Sequence, residues 1–271
     1  MAGQKTSLTR RTLVQIDRAF WCIHDHLNAM LPLGLPTLAA VTLAAILFLV
    51  AWRTWDFSNG LLILLFGIVI PLVGLTIFTV LPLPCAVFAW RRVNGEAPTV
   101  GECFSFCRQH AGRLLRVIAA LILFWFLSLL LFGVPLIWVW PRTCLAPLVA
   151  LFEDQPKIFR RSRRILREDL AVYVIGGLYL GLAIVLAGLL VLPRLVLGTS
   201  LLGAHVLDAE WRRSILDYWW IFESISAAII LTALAMSWWI SLTLLYHEIR
   251  WTREGDDLRQ RIRAASSSIK M

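Results

Sequence analysis

The feature that most constrains the fold is a basic segment enclosed by two long apolar runs, at residues 151–174 (LFEDQPKIFRRSRRILREDLAVYV). At about 100° per residue, its apolar side chains fall on one side of a helix: Ile158, Phe159, Ile165, Leu166 and Leu170. Its six basic side chains fall on the other: Lys157, Arg160, Arg161, Arg163, Arg164 and Arg167. Such a helix binds at a membrane surface on the cytoplasmic side, where anionic headgroups attract Lys and Arg. We call a segment of this kind an elbow.

The composition predicts a polytopic membrane protein. Hydrophobic residues make up 59% of the 271 residues and charged residues 16%, with a mean hydropathy of +0.75, whereas a soluble domain is charged at about a quarter of its positions. The net charge of +9 does not indicate nucleic-acid binding, because the basic residues lie in short segments beside apolar runs. The scattered cysteines predict no disulfide framework, and residues 1–30 are too polar for a cleaved signal peptide.

Six stretches have the length of a membrane crossing, for which a helix needs about 20 residues. We predict spans at 31–52, 60–90, 114–132, 136–152, 170–192 and 219–246. The third and fourth spans come from one apolar run, 114–152, which is nearly twice as long as one crossing needs and turns near Gly133 and Pro135. The predicted fold class is therefore all-α, a polytopic bundle of six transmembrane helices. Residues 194–207 are apolar enough for a re-entrant segment.

Amphipathic segments organise the chain into three units, each an elbow followed by a helical hairpin, beginning near residues 8, 99 and 156. The predicted domains are a cytoplasmic amphipathic segment at 1–30, the six-span domain at 31–246 with basic elbows at 91–113 and 153–169, and a basic tail at 247–271. The apolar stripe of the first elbow contains Leu13, Ile16, Phe20, Ile23 and Leu27. The stripe of the second contains Val100, Cys103, Phe104, Cys107, Ala111 and Leu114.

The basic residues also predict the orientation of the chain. If both termini are cytoplasmic, 21 of the 26 basic residues lie in cytoplasmic segments and their flanks. The others are Arg53, Arg142, Arg194, Arg212 and Arg213. This asymmetry follows the positive-inside rule at every loop, so we predict a multi-pass protein of the cell inner membrane with both termini inside.

Two charges lie well inside predicted spans rather than at their cytoplasmic ends, Arg142 in the fourth and Glu223 in the sixth. A charge in hydrocarbon is costly unless it is paired or hydrated, and both residues lie at similar depth below the outer surface. We predict an intramembrane ion pair between them. A translocation site or proton relay, and spans that begin elsewhere, are the alternatives.

Two groups of residues have spacing that suits a metal ion: Cys103, Cys107 and His110, and Cys22, His24 and His26. The two thiols of the first group lie on an apolar stripe, where buried cysteine commonly serves as a small hydrophobic residue. The second group ends an elbow near the headgroups, where polar residues are expected. We therefore predict no metal, no cofactor and no catalytic residue, and the chain has no nucleophile elbow or zincin helix.

Two stretches, PLVALFEDQPKIFRRSRRIL at 147–166 and YHEIRWTREGDDL at 246–258, resemble a bacterial six-helix membrane family. This family comprises the membrane domain of some glycerophosphodiester phosphodiesterases and stand-alone relatives of unknown function. The resemblance implies that the motif residues here are Pro147, Glu153, Ser162, Tyr246, Arg250, Arg253, Glu254, Gly255, Asp257 and Leu258. It does not imply the enzyme activity, because that chemistry belongs to a separate soluble barrel.

The predicted function is that of a non-catalytic membrane scaffold or accessory subunit. Its basic cytoplasmic face contacts anionic lipid headgroups and docks a membrane or cytoplasmic protein partner. The first alternative is a transporter or lipid-handling protein, which needs a polar path and broken helices near the midplane. The second is a membrane-embedded lipid enzyme, which needs acid, base or metal groups that converge at one headgroup depth.

Overall fold

The computed structural model describes residues 2–54, 69, 72–74, 76–131, 142–153, 156–167, 175–183, 185–186, 225–251 and 255. Throughout those residues the chain is all-helical and has no strand, which confirms the predicted all-α class. The helices are α1 (Ala2–Asp25), α2 (Leu27–Thr54), α3 (Leu83–Val93), α4 (Val100–Gln109), α5 (Ala111–Leu130), α6 (Ala146–Phe152) and α7 (Ile158–Arg167). A short helix at 175–183 and the C-terminal helix (Ile225–Trp251) follow.

Four helices in the described part of the chain are long and apolar enough to cross a membrane, at Leu27–Ala44, Leu72–Val93, Ala111–Ser128 and Ile225–Trp251. They identify the chain as a membrane protein, with four candidate spans where the sequence predicts six. The four overlap the first, second, third and sixth predicted spans, with ends that differ from the predicted ones. The predicted spans at 136–152 and 170–192 lie partly outside the described residues. Their described parts contain the seven-residue α6 and the 175–183 helix.

The surface of α5 is that of a helix in contact with lipid. Leu115 and Leu123 expose 69% and 57% of their surface, although Leu121 and Trp125 of the same helix are buried. A helix in water would expose polar residues on its outer side. Apolar residues on both sides are typical of a helix that packs on a bundle and faces hydrocarbon.

The core lies where α3, α6 and the C-terminal helix meet, and its residues are almost inaccessible. The C-terminal helix also approaches α2 closely at Gly34. A Cβ atom built on Gly34 would lie 2.5 Å from Sδ of Met236. Only glycine therefore fits without displacing that side chain, and small residues of this kind let membrane helices approach each other.

The chain reverses sharply between α3 and α4. Gly95 has a positive φ of 82° at the end of α3, and its N–H donates to the carbonyl of Arg92 at 3.0 Å. This conformation suits glycine and satisfies a carbonyl of the last helical turn. The helix α4 then begins with a capping box, in which Thr99 Oγ1 accepts from the N–H of Glu102 and Glu102 Oε2 accepts from the N–H of Thr99. The reversal packs α4 against α3.

Candidate functional site at the basic face

The ends of several helices meet on one side of the described structure, which we call the basic face. It comprises the α1–α2 turn, the α3–α4 connection, the α6–α7 connection with α7, and the end of the C-terminal helix. Contacts between distant parts of the chain hold it together. Arg92 Nη2 lies 3.3 Å from His26 Nδ1, and Asn94 Oδ1 lies 3.2 Å from His247 Nε2.

A buried carboxylate, Glu153, lies at the centre of the basic face. It directly follows α6, and its side chain is only 4% exposed. The hydroxyl of Tyr246 donates to its Oε1 at 2.5 Å, and Nε of Arg161 donates to its Oε1 at 3.3 Å and its Oε2 at 3.0 Å. A buried carboxylate is stable only when donors or opposite charges satisfy it. Tyr246 and Arg161 supply both, and they join the C-terminal helix and α7 to the end of α6.

A second hydrogen bond holds α7 against the residues before α6. Ser162 is fully buried, and its hydroxyl donates to the backbone carbonyl of Arg142 at 3.1 Å. Ile165 is buried, while Ile158 and Phe159 are half-buried. The described apolar residues of α7 therefore pack on the protein itself, whereas the side chains of Leu166 and Leu170 lie outside the described part of the chain.

The basic side chains of α7 divide into two groups. Lys157, Arg160, Arg163 and Arg164 are exposed. Arg161 is half-buried, because it binds Glu153. Arg167 ends α7, and its side chain lies outside the described part of the chain. Among the described side chains, the exposed cationic surface thus consists of Lys157, directly before α7, and Arg160, Arg163 and Arg164 within it.

An aromatic cluster surrounds the Glu153 site. Trp90 and Phe152 stack with ring centroids 4.5 Å apart and an interplanar angle of 15°. Tyr246 lies 5.8 Å from Trp90 and 6.3 Å from Phe152, again between centroids. These three residues end the second, fourth and sixth predicted spans, so the aromatic ends of the three predicted units meet at one place. The guanidinium of Arg250 lies 5.8 Å from the centre of the Trp90 ring and so forms a cation–π contact.

Some of the residues named from the family resemblance lie at the Glu153 site, and others lie outside the described part of the chain. Glu153, Ser162 and Tyr246 lie in the hydrogen-bonded network, Pro147 is buried in the first turn of α6, and Arg250 lies over Trp90. Gly255 is a single described residue, and Arg253, Glu254, Asp257 and Leu258 lie outside the described residues.

The predicted ion pair between Arg142 and Glu223 stays a prediction, because Glu223 lies outside the described residues. Arg142 itself is exposed. The sequence places it six residues into the fourth span from the outer end. The hydrogen bond from Ser162 instead brings its backbone next to α7.

The described residues contain no group of three or more His, Cys, Asp or Glu side chains arranged to hold a metal ion. Burial raises the pKa of Cys103 to about 11 and that of Cys107 to about 12, so both thiols are protonated at neutral pH. His110 Nδ1 lies 3.0 Å from the backbone carbonyl of Phe106. In the other group, burial raises the pKa of Cys22 to about 11, and His24 lies 3.3 Å from Asp25.

Sequence reasoning missed two features of this face. The capping box that starts α4 has a recognisable signal, the Thr-x-x-Glu pattern at 99–102. The pairing of Glu153 with Tyr246 has none, because 93 residues separate them and the sequence contains no indication of which tyrosine faces which carboxylate.

No family model matches the chain, and neither a curated protein nor a solved structure matches it.

Proposed function

We propose that this chain is a non-catalytic inner-membrane protein, a scaffold or accessory subunit whose basic face binds anionic lipid headgroups and docks partner proteins. In the proposed topology the chain crosses the membrane six times and both termini are cytoplasmic. We also propose that the chain is related to the membrane domain of glycerophosphodiester phosphodiesterases. The observation that carries the proposal is the exposed cationic side of α7 on an otherwise well-packed helix.

The packing of α7 supports a surface role for its cations. Ser162 and Ile165 hold one side of the helix against the protein, and Arg161 is bound to Glu153. The orientation of the helix is therefore fixed, and the exposed side chains of Arg160, Arg163 and Arg164 project away from the core. Each cation near an anionic membrane surface contributes about 1 kcal/mol of attraction.

The burial of the Glu153 site and its internal hydrogen bonds support a structural rather than a catalytic role. Glu153 and Tyr246 are both buried, and both carboxylate oxygens of Glu153 already accept hydrogen bonds. A lipid enzyme needs acid and base groups that a headgroup can reach. In the described conformation these groups satisfy one another and hold three parts of the chain together.

The proposal is tested with the chain in nanodiscs made of either phosphatidylglycerol or phosphatidylcholine. The variant replaces Arg160, Arg163, Arg164 and Arg167 with Gln, and the matched control replaces the same residues with Lys. Hydrogen exchange of residues 156–167 should be slower in the anionic discs for the natural chain and the Lys variant, because their charges bind the headgroups. The Gln variant should exchange equally fast in both lipids.

The opposite result is equal protection of α7 in both lipids for the natural chain. In that case contacts within the protein alone hold the helix, and the cations of α7 have no role in lipid binding.

A further inference from the structure

A cleft of about 400 Å³ opens on the basic face between the α1–α2 turn and the end of α3. Its polar lining comes from His24, His26 and Asn28 of the turn and from Arg92 of α3, and its apolar lining includes Phe88. The His26 ring packs edge-on against Phe88, with centroids 5.6 Å apart, and its Nδ1 lies 3.3 Å from the Arg92 guanidinium. The cleft has the size of a small-ligand site and presents several hydrogen-bond donors.

Both walls of the cleft lie at the ends of candidate membrane spans. The apolar stretch of α2 begins at Leu27, directly after His26, and the apolar stretch that contains α3 ends at Val93, directly after Arg92. Residues that flank a span lie at the depth of the lipid headgroups. The cleft therefore lies where a phosphate group of the bilayer is available to it.

An exposed apolar ridge runs from the cleft along α2. Leu27 lines the cleft, and Leu31 and Leu35 follow at intervals of four residues, which places all three on one side of the helix. All three leucines are exposed, at 49%, 58% and 56% of their surface. A ridge of this kind suits a lipid acyl chain whose headgroup occupies the cleft.

The charges of the lining favour an anion near Arg92. Asp25 also lines the cleft, but its carboxylate lies 3.3 Å from the ring of His24 and is 58% exposed. Arg92 is also exposed, and its guanidinium can donate two parallel hydrogen bonds to a phosphate. The imidazole of His26 accepts from Arg92 at Nδ1 and so has its N–H at Nε2, and the amide of Asn28 adds further donors around the same space.

We propose that this cleft binds the phosphate of an anionic phospholipid, with Arg92 and His26 donating to the phosphate oxygens and one acyl chain lying along Leu27, Leu31 and Leu35. The inference deepens the proposed function, on which it rests, because it assigns one defined lipid site to the basic face. It differs from the surface attraction of α7 in requiring both a headgroup and an acyl chain.

The test measures binding of phosphatidylglycerol and of water-soluble glycerol phosphate to the full chain in a neutral detergent, by native mass spectrometry. Arg92→Gln should weaken phosphatidylglycerol binding about tenfold, the effect of losing one charge-assisted pair of hydrogen bonds. The control Arg108→Gln removes an exposed cation of α4 outside the cleft and should change binding less than about twofold. His26→Gln provides a second cleft variant, which should weaken binding in the same direction.

A second pair of variants tests the acyl-chain ridge. Leu31→Ser with Leu35→Ser should weaken phosphatidylglycerol binding severalfold, whereas the same change at Leu123 and Leu127, two exposed leucines of α5, should not. Glycerol phosphate should bind far more weakly than the lipid, because it lacks the acyl chain. Equal binding of the two would show a site for small anions and would overturn the lipid assignment.

The cleft and α7 can fail separately. If Arg92→Gln and Arg108→Gln lose the same amount of binding, the cleft is not the lipid site. If the natural chain then still protects α7 in anionic nanodiscs, the proposed function stands without the cleft.

Discussion

At the scale of single residues, Glu153 shows how a buried charge is stabilised where helix ends meet. Its carboxylate is 4% exposed and receives hydrogen bonds from Tyr246 and Arg161. Removal of one partner leaves a buried charge without compensation, which costs more than the loss of an exposed ion pair. The chain offers a direct comparison, since Arg91 and Glu102 form an ion pair at 3.1 Å in which Glu102 is 52% exposed.

We expect Arg161→Gln to lower the free energy of unfolding by about 3 kcal/mol, the cost of breaking a buried pair. Tyr246→Phe should lower it by about 1 to 3 kcal/mol, since it removes one donor to a buried acceptor. The control Arg91→Gln breaks the exposed pair and should cost less than about 1 kcal/mol. Unfolding in mixed micelles of increasing sodium dodecyl sulfate measures all three. Similar values for the buried and exposed pairs would mean that Glu153 is not the structural centre of the basic face.

Three cysteines should be slow to react. Burial raises the pKa of Cys22 and Cys103 to about 11 and that of Cys107 to about 12, so the thiolate forms only as the pH rises towards those values. At pH 8 we expect alkylation by iodoacetamide to be at least about 100-fold slower than in denaturant, where the pKa is about 8.5, and slowest at Cys107. Peptide mass spectrometry gives the rate for each cysteine. Alkylation at equal rates in the native and denatured chain, or protection by added Zn²⁺, would contradict the structural role of these thiols.

At the scale of elements, the sequence predicts the long apolar helices well and their contacts poorly. The four candidate spans follow from length and hydropathy alone. The sequence does not show which side of α5 is buried, because the exposed Leu115 and the buried Leu121 are equally apolar. In hydrocarbon the outward side of a helix is as apolar as its core side, so the periodicity that locates the core of a soluble protein is weak.

The contact between α2 and the C-terminal helix at Gly34 can be tested by a single substitution. We expect Gly34→Ala to destabilise the bundle by about 1 kcal/mol, because the added Cβ would lie 2.5 Å from Sδ of Met236 and that side chain must move. Gly112→Ala is the control, since a Cβ there meets no atom within 4 Å and alanine favours the helix.

The same contact predicts coupling between the two positions. In a double-mutant cycle, Gly34→Ala should cost much less when Met236 is already Ala. Equal costs of Gly34→Ala in both backgrounds, measured by the same unfolding titration, would mean that the two helices do not touch there.

At the scale of the whole molecule, polar contacts link the three predicted units into a closed sequence. Arg91–Glu102 and Glu153–Arg161 tie the second and third elbows to the residues that directly follow the preceding spans, and Glu248–Gln15 joins the C-terminal helix to the first elbow. The repetition of elbow and hairpin is readable from the sequence. The contacts are not, because they depend on which helix ends meet in three dimensions. Together with the His26–Arg92 and Asn94–His247 contacts, they bring the described helix ends to one side of the molecule.

The central claim is that this shared side, the basic face, lies in the cytoplasm. Reporters of location test it most directly when fused after Met271 and inserted between Arg92 and Glu102, with a third insertion between Asp208 and Asp217. Because 21 of the 26 basic residues fall on one predicted side, we expect the first two reporters in the cytoplasm and the third outside. A reporter after Met271 that is found outside the cell membrane would contradict both the six-span topology and the cytoplasmic basic face.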